Sequence, residues 1–313
     1  MRYISDLHEG DQVSEIYLCK TKSPGTSKFG KSYYSLTLQD KTGMIDGKVW
    51  ELTNAIGHFE AMDYILVRGQ VTSYQGSNQL NIQQIRKAQE GEFDMADYMP
   101  STKKDIDGMF KELLAMISKT KNQYLKQLAE KIFIEDKNFA RGFKVHSAAK
   151  SVHHGYIGGL LEHSLSVAKI CESYANLYPQ LNRDLIVMCA LWHDMGKVEE
   201  LSSFPENDYT DEGQLVGHIV MGAIKLDRLI HEIPGFPPKL ANEVKHCMLA
   251  HHGELEFGSP KKPALLEAIA LSQADNLDAK METFAEIMEK QKEDQEWSGF
   301  QRLLDTRIRK TSI

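Results

Sequence analysis

No run of about 18 apolar residues occurs anywhere in the 313-residue chain, which leaves no candidate for a membrane-spanning helix. Cysteine is scarce: Cys19, Cys171, Cys189 and Cys247 stand far apart without a CxxC pair. That spacing argues against a disulfide framework and a thiolate zinc site, and the four read as buried free thiols in a reducing compartment. The first residues, Met1–Asp6, have neither the apolar core of a signal peptide nor the acid-poor character of a transit peptide, so a cytoplasmic location is expected. Basic excess is lacking too. The formal net charge is −7, which speaks against a general nucleic-acid coat. No internal repeat is visible.

The charge is nevertheless uneven. Residues 1–90 hold ten Lys plus Arg against ten Asp plus Glu, while the remainder holds 27 against 34. Within the neutral part, Lys20, Lys22, Lys28 and Lys31 lie in an acid-free stretch, a patch of the kind that tracks a phosphate backbone, with a solvated loop as the alternative. Around them the composition is that of strands. Residues 13–22, 32–39 and 44–50, then 64–71 and 79–85, are separated by turn signals at Asp40–Gly43 and Tyr74–Asn78, with a helix-like segment at 52–59. Five strands with a small helical insertion after the third predict an all-β OB-fold barrel over residues 1–88, an SH3-like barrel being the competitor.

Residues 89–104 are polar and aperiodic, and are read as a linker. From 105 to 313 the pattern is helical. Helices are expected near 105–119, 121–134, 158–177, 183–193, 213–231, 238–251, 263–290 and 295–309. The fold class expected is therefore multidomain, an N-terminal all-β barrel followed by an all-α domain.

The helical part carries the chemistry. His193-Asp194 closes the apolar run Arg183–Trp192 and is followed by Gly196 and Lys197. His163 sits between Leu161 and Leu165 on a helix face shared with Ala168 and Cys171. His218 follows Gly217, the pair His251-His252 ends Ala241–Ala250, and Asp275 shares a face with Ala268 and Leu271. A solitary carboxylate on such a face carries a heavy desolvation cost and demands a cation. Imidazole with carboxylate suits divalent Mn, Fe, Co, Zn or Mg, and His246 is a weaker member because it sits on another face. Lys197, one turn past His193, is placed to add positive charge at a phosphate, with a helix-dipole partner as the alternative. His154 is a candidate substrate contact or acid, with structural packing as the alternative.

These positions, with His153–Leu165 as the opening segment, resemble the HD superfamily of metal-dependent phosphohydrolases. The resemblance implies that His163, His193, Asp194 and Asp275 hold one ion. It also implies that Asp194 bridges to a second, held by His218 and His251, with His252 in place of His251 or beside it.

An OB barrel offers a groove where aromatic faces stack bases and cations follow phosphates, and Phe29, Tyr33, Trp50 and Tyr74 are the aromatics expected there, with a place in the core as the alternative for each. Alternation puts Tyr34, Leu36 and Leu38 on one strand face and Tyr33 on the other. A barrel followed by an HD domain in a chain of this length, together with Gly30–Asp40, Val67–Val71 and the metal motifs, is similar to the YhaM family of bacterial 3′-5′ exoribonucleases. Membership implies two divalent ions, foremost Mn, and shortening of single-stranded RNA, with some action on single-stranded DNA, to nucleoside 5′-monophosphates. A homo-oligomer is also expected. The rival readings are a phosphodiesterase or nucleotidase for small nucleotides, and a non-catalytic DNA-binding replication factor.

Overall fold

The computed structural model describes residues 1–312 apart from 28–29, 75, 95–96, 151–153, 292–294 and 303. Lys28 and Phe29, both expected at the nucleic-acid surface, lie outside the described residues. The chain divides into two compact units, Met1–Ser101 with Ser203–Glu206, and Thr102–Ser202 with Asn207–Ile313.

The first unit is a closed barrel of β1 (Gln12–Thr26), β2 (Ser32–Asp40), β3 (Gly43–Val49), β4 (Tyr64–Tyr74) and β5 (Ser77–Lys87), in the order β1-β2-β3-β5-β4. All neighbours are antiparallel except β3 and β5, and closure pairs β1 with β4, leaving no open edge. Alternation along β2 works as expected: Leu36 and Leu38 enter the core with Tyr17, Ile65, Val67, Leu80 and Ile82, and Tyr34 packs at its margin. This is the OB-like barrel that the turn spacing predicted.

Two local expectations do not hold. The segment 52–59 is not helical; beyond a single turn in which Ile56 donates to the Thr53 carbonyl (3.0 Å), its backbone bonds to β5, Gly57 donating to the Ile85 carbonyl (2.8 Å) and Ile85 to that of Ala55 (3.0 Å). Part of the expected linker is packed. Phe93 stacks on Tyr64 with ring centres 4.1 Å apart, and Tyr98 meets both rings edge-on.

The second unit is helical: α1 (Ile106–Ser118), α2 (Gln123–Glu130), α3 (Lys137–Val145), α4 (Gly159–Leu177), α5 (Arg183–Trp192), α6 (Lys197–Glu200), α7 (Asp211–Val216), α8 (His218–His231), α9 (Pro238–Ala250) and α10 (Leu266–Lys290). Side-chain caps start several of them. Asp105, Asn122, Asp136, Asn182 and Thr210 each accept from backbone N–H groups of the first turn. From Leu185 to Trp192 every residue of α5 is buried, so it forms the centre against which α4, α9 and α10 pack. The expected helix at 213–231 is broken by Gly217, whose φ of 76° no side-chain-bearing residue adopts easily, so His218 becomes the first residue of α8. The expected helix at 295–309 is absent. Ser298-Gly299 opens it and the segment folds back, Ser298 donating to the Ile308 carbonyl (2.7 Å) and Gln301 to that of Thr306 (2.8 Å). Among the described residues no helix is long and apolar enough to cross a membrane.

Candidate metal centre

Five helical segments deliver seven side chains to one place in the second unit. His163 comes from the first turns of α4, where Leu160, Leu161 and Leu165 bury the helix around it. His193 and Asp194 follow α5, which is apolar and buried on every side from Leu185 onward and so carries its polar end into the interior. His218 opens α8, His251 and His252 follow α9, and Asp275 lies on the buried face of α10.

The donor atoms fall into two sets around Asp194. His163, His193 and Asp275 form one group, and Asp194, His218, His251 and His252 the other. One Asp194 oxygen, Oδ2, lies 3.5 Å from His163 Nε2 and 3.4 Å from His193 Nε2. The other, Oδ1, lies 3.4 Å from His218 Nε2 and 3.6 Å from His251 Nε2. Asp275 Oδ1 completes the first set, 3.2 Å from His163 Nε2 and 3.8 Å from His193 Nε2. Ligands at about 2.0–2.2 Å from a shared ion stand at such separations from each other.

The tautomers agree with this reading. Nδ1 of His193 donates to the Ala190 carbonyl (2.8 Å), that of His251 to Met248 (2.7 Å) and that of His252 to Phe257 (2.9 Å). His163 Nδ1 donates to Asp278 Oδ2 (2.7 Å) and His218 Nδ1 to Glu200 Oε1 (2.9 Å). With Nδ1 engaged outward, all five rings turn Nε2 inward. His218 Nε2, His251 Nε2 and Asp194 Oδ1 are buried with no hydrogen-bond partner. Buried polar atoms aimed at one point without partners cost free energy unless a cation satisfies them, so the residues present fit a pair of divalent ions.

Electrostatics sharpen the picture. Burial holds His193 and His252 down at about 4, so both are neutral lone-pair donors. Burial also opposes charge on His163, but its bonds to Asp275 and Asp278 prevail and push it up to about 10. Burial works against ionising Asp194, yet Lys197 and the surrounding imidazoles keep its carboxyl well below the usual range. Lys197 Nζ lies 2.6 Å from Asp194 Oδ2. Burial disfavours its charge, and Asp194 outweighs this, raising its pKa.

The seven candidate ligands expected from sequence thus lie together, with both His251 and His252 in the group that could hold an ion beside Asp194. His246 stands apart, its Nε2 accepting from the Ala264 N–H (2.9 Å). His154 requires correction as a substrate contact. It is buried behind His163, with Nδ1 2.9 Å from the Tyr156 hydroxyl and Nε2 3.2 Å from Asp278, so neither nitrogen is available. Sequence reading missed Asp278, Glu200 and Ser166, whose hydroxyl donates to Asp278. The available signal was a second carboxylate one turn after Asp275.

On the barrel, Tyr33 and Trp50 pair with ring centres 4.9 Å apart, and Trp50 is 45% exposed. Lys48, not anticipated, lies over Tyr33 at 5.9 Å and donates to Ser35 (2.5 Å), on the same outer face. Tyr74 and Lys31 are exposed. Lys22 is corrected: its ammonium donates to the Phe59 carbonyl (2.6 Å) and sits over the Tyr34 and Phe59 rings, which ties it to the fold. Lys20 donates to the carbonyls of Pro205 (3.0 Å) and Glu206 (3.1 Å), so it too is engaged.

The sequence matches the HD domain family over residues 160–280, the span from α4 to α10 that supplies every metal candidate. It is 35% identical to the 3′-5′ exoribonuclease YhaM of Bacillus velezensis over 88% of this chain and 87% of that protein. The chain belongs to the YhaM family. A second YhaM relative, from a Geobacillus species, is 34% identical over 90% of this chain and 87% of its own. Among solved structures, the HD domain of the Listeria monocytogenes phosphodiesterase PgpH is similar at 18% identity, covering 49% of this chain and 80% of that one, with a TM-score of 0.33. The YhaM relatives span both units, so the match extends over the barrel as well as the HD domain.

Proposed function

We propose that this YhaM-family chain is a metal-dependent 3′-5′ exoribonuclease that shortens single-stranded RNA to nucleoside 5′-monophosphates, with single-stranded DNA a secondary substrate. The observation carrying this reading is Asp194, whose two oxygens face two separate sets of inward-turned imidazoles. His163, His193, Asp194 and Asp275 would hold one ion; Asp194, His218, His251 and His252 the other. Bound there, such a pair lowers the pKa of a water, neutralises phosphate oxygens and steadies the leaving oxygen during in-line displacement.

The rest falls to the protein. Lys197 keeps its proton because Asp194 lies beside it, and supplies a fixed positive charge at the rim of the donor cluster for a phosphate oxygen. His154 and Asp278 brace His163 from behind. No serine, cysteine or lysine nucleophile is required. A mixed nitrogen and carboxylate donor set suits Mn, Fe, Co, Zn or Mg alike, and Mn is put foremost on the family resemblance. On the barrel, Tyr33, Trp50 and Tyr74 would stack on bases of any sequence, while Lys31 and Lys48 face the backbone. Four free thiols support a reducing, cytoplasmic setting, and a homo-oligomer belongs to the same reading.

The test is hydrolysis of 5′-labelled single-stranded RNA with Mn by the wild type and Asp194→Ala. The expected result is a ladder of shortening labelled products that the variant does not make. Release of the label as a mononucleotide at the outset would reverse the polarity. Hydrolysis of mononucleotides or cyclic dinucleotides with intact RNA would replace the substrate class.

A further inference from the structure

The five imidazoles are not braced alike. His193, His251 and His252 give Nδ1 to main-chain carbonyls, which fix the ring but add no charge. His163 and His218 give theirs to carboxylates, Asp278 at 2.7 Å and Glu200 at 2.9 Å. One of these rings belongs to each donor set. Both carboxylates are built in. Asp278 is 8% exposed, with Oδ2 shared between His163 and His154 (3.2 Å) and Oδ1 accepting from Ser166. Glu200 is also 8% exposed, and its Oε1 accepts from both Nδ1 and the backbone N–H of His218, each at 2.9 Å.

A carboxylate behind an imidazole pulls on the Nδ1 proton and makes the opposite nitrogen a stronger donor, besides holding the ring plane. The supports come from different elements, Asp278 from α10 and Glu200 from the end of α6. We propose that Asp278 and Glu200 are positioning residues that set the affinities of the two ions separately, Asp278 for the ion at His163 and Glu200 for the ion at His218. This rests on the two-ion reading of the site given above.

The experiment titrates Mn into the full-length chain, following heat and the electron paramagnetic resonance spectrum. It compares wild type, Asp278→Asn, Glu200→Gln and the double variant, each near-isosteric and keeping an oxygen acceptor, with circular dichroism to confirm the fold. The wild type is expected to take up two ions and show a spin-coupled signal. Each single variant should lose roughly 10- to 100-fold in affinity for one ion while the other binds as before, leaving an uncoupled Mn spectrum at intermediate metal. The double variant should weaken both. A general lesion in packing would instead weaken both ions in each single variant, and that outcome, or wild-type affinity in both, overturns the proposal. So does a double variant that still binds one ion tightly, since the two carboxylates would then serve the same ion. A wild type that takes up no Mn overturns the two-ion site itself and this proposal with it.

Discussion

Asp194 serves both donor sets because a carboxylate has two oxygens that face different ways, and the turn after α5 leaves it 1% exposed among five histidines. Asp194→Ala should therefore abolish uptake of both ions and reduce RNA hydrolysis to background, whereas His218→Ala should spare the first ion; elemental analysis after Mn loading and dialysis separates the two. His163 sets the pH dependence. Its ring, pushed up to about 10 by Asp275 and Asp278 against the cost of burial, carries a proton at neutral pH that an ion at Nε2 must displace. His193 and His252, held near 4, have none to lose. Binding at the first set should release about one proton near neutrality and tighten as pH rises toward 10, which calorimetry in buffers of different ionisation enthalpy will read. The residues that cluster around Asp194 were legible in the sequence because histidine or aspartate flanked by apolar helix is costly without a partner. Asp278 and Glu200 were not, because a carboxylate near other charges, as in Glu199-Glu200, reads as solvated until the tertiary fold buries it. Lys22 shows the converse: counting lysines does not reveal that an ammonium is held by Phe59.

Elements position these side chains through close backbone approach. Gly196, between the His-Asp pair and α6, lies against the start of α8; a β-carbon there would stand 2.1 Å from the His218 carbonyl oxygen. That contact is with backbone and cannot be relieved by a rotamer change. Gly196→Ala should push α8 outward, cost about 1–3 kcal/mol in stability, and weaken the ion at His218 more than the one at His163. Thermal unfolding with and without Mn measures both effects. The helices were readable where a cap or an apolar stripe marked them, as at Asn182 or along α5. They were misread where a local signal lost to a longer-range bond. The 52–59 segment bonds to β5, and 295–309 folds back through Ser298 and Ile308.

On the scale of the whole chain, the proposed function has the barrel bind without reading sequence while the metal pocket hydrolyses the phosphodiester. Tyr33 and Trp50, paired on the outer barrel face, should matter for binding alone. Trp50→Ala should raise KM for an RNA long enough to reach the barrel by about 5- to 100-fold, with kcat and the hydrolysis of a dinucleotide unchanged; equal losses on both substrates would remove the barrel from the account. Everything else depends on Asp194 standing between two ions. The most direct measurement is anomalous diffraction from crystals of the full-length protein soaked in Mn. Two peaks about 3.5–4 Å apart, one beside His163, His193 and Asp275 and the other beside His218, His251 and His252, with Asp194 touching both, are predicted. A single peak remote from Asp194, or none at saturating Mn, would contradict the account.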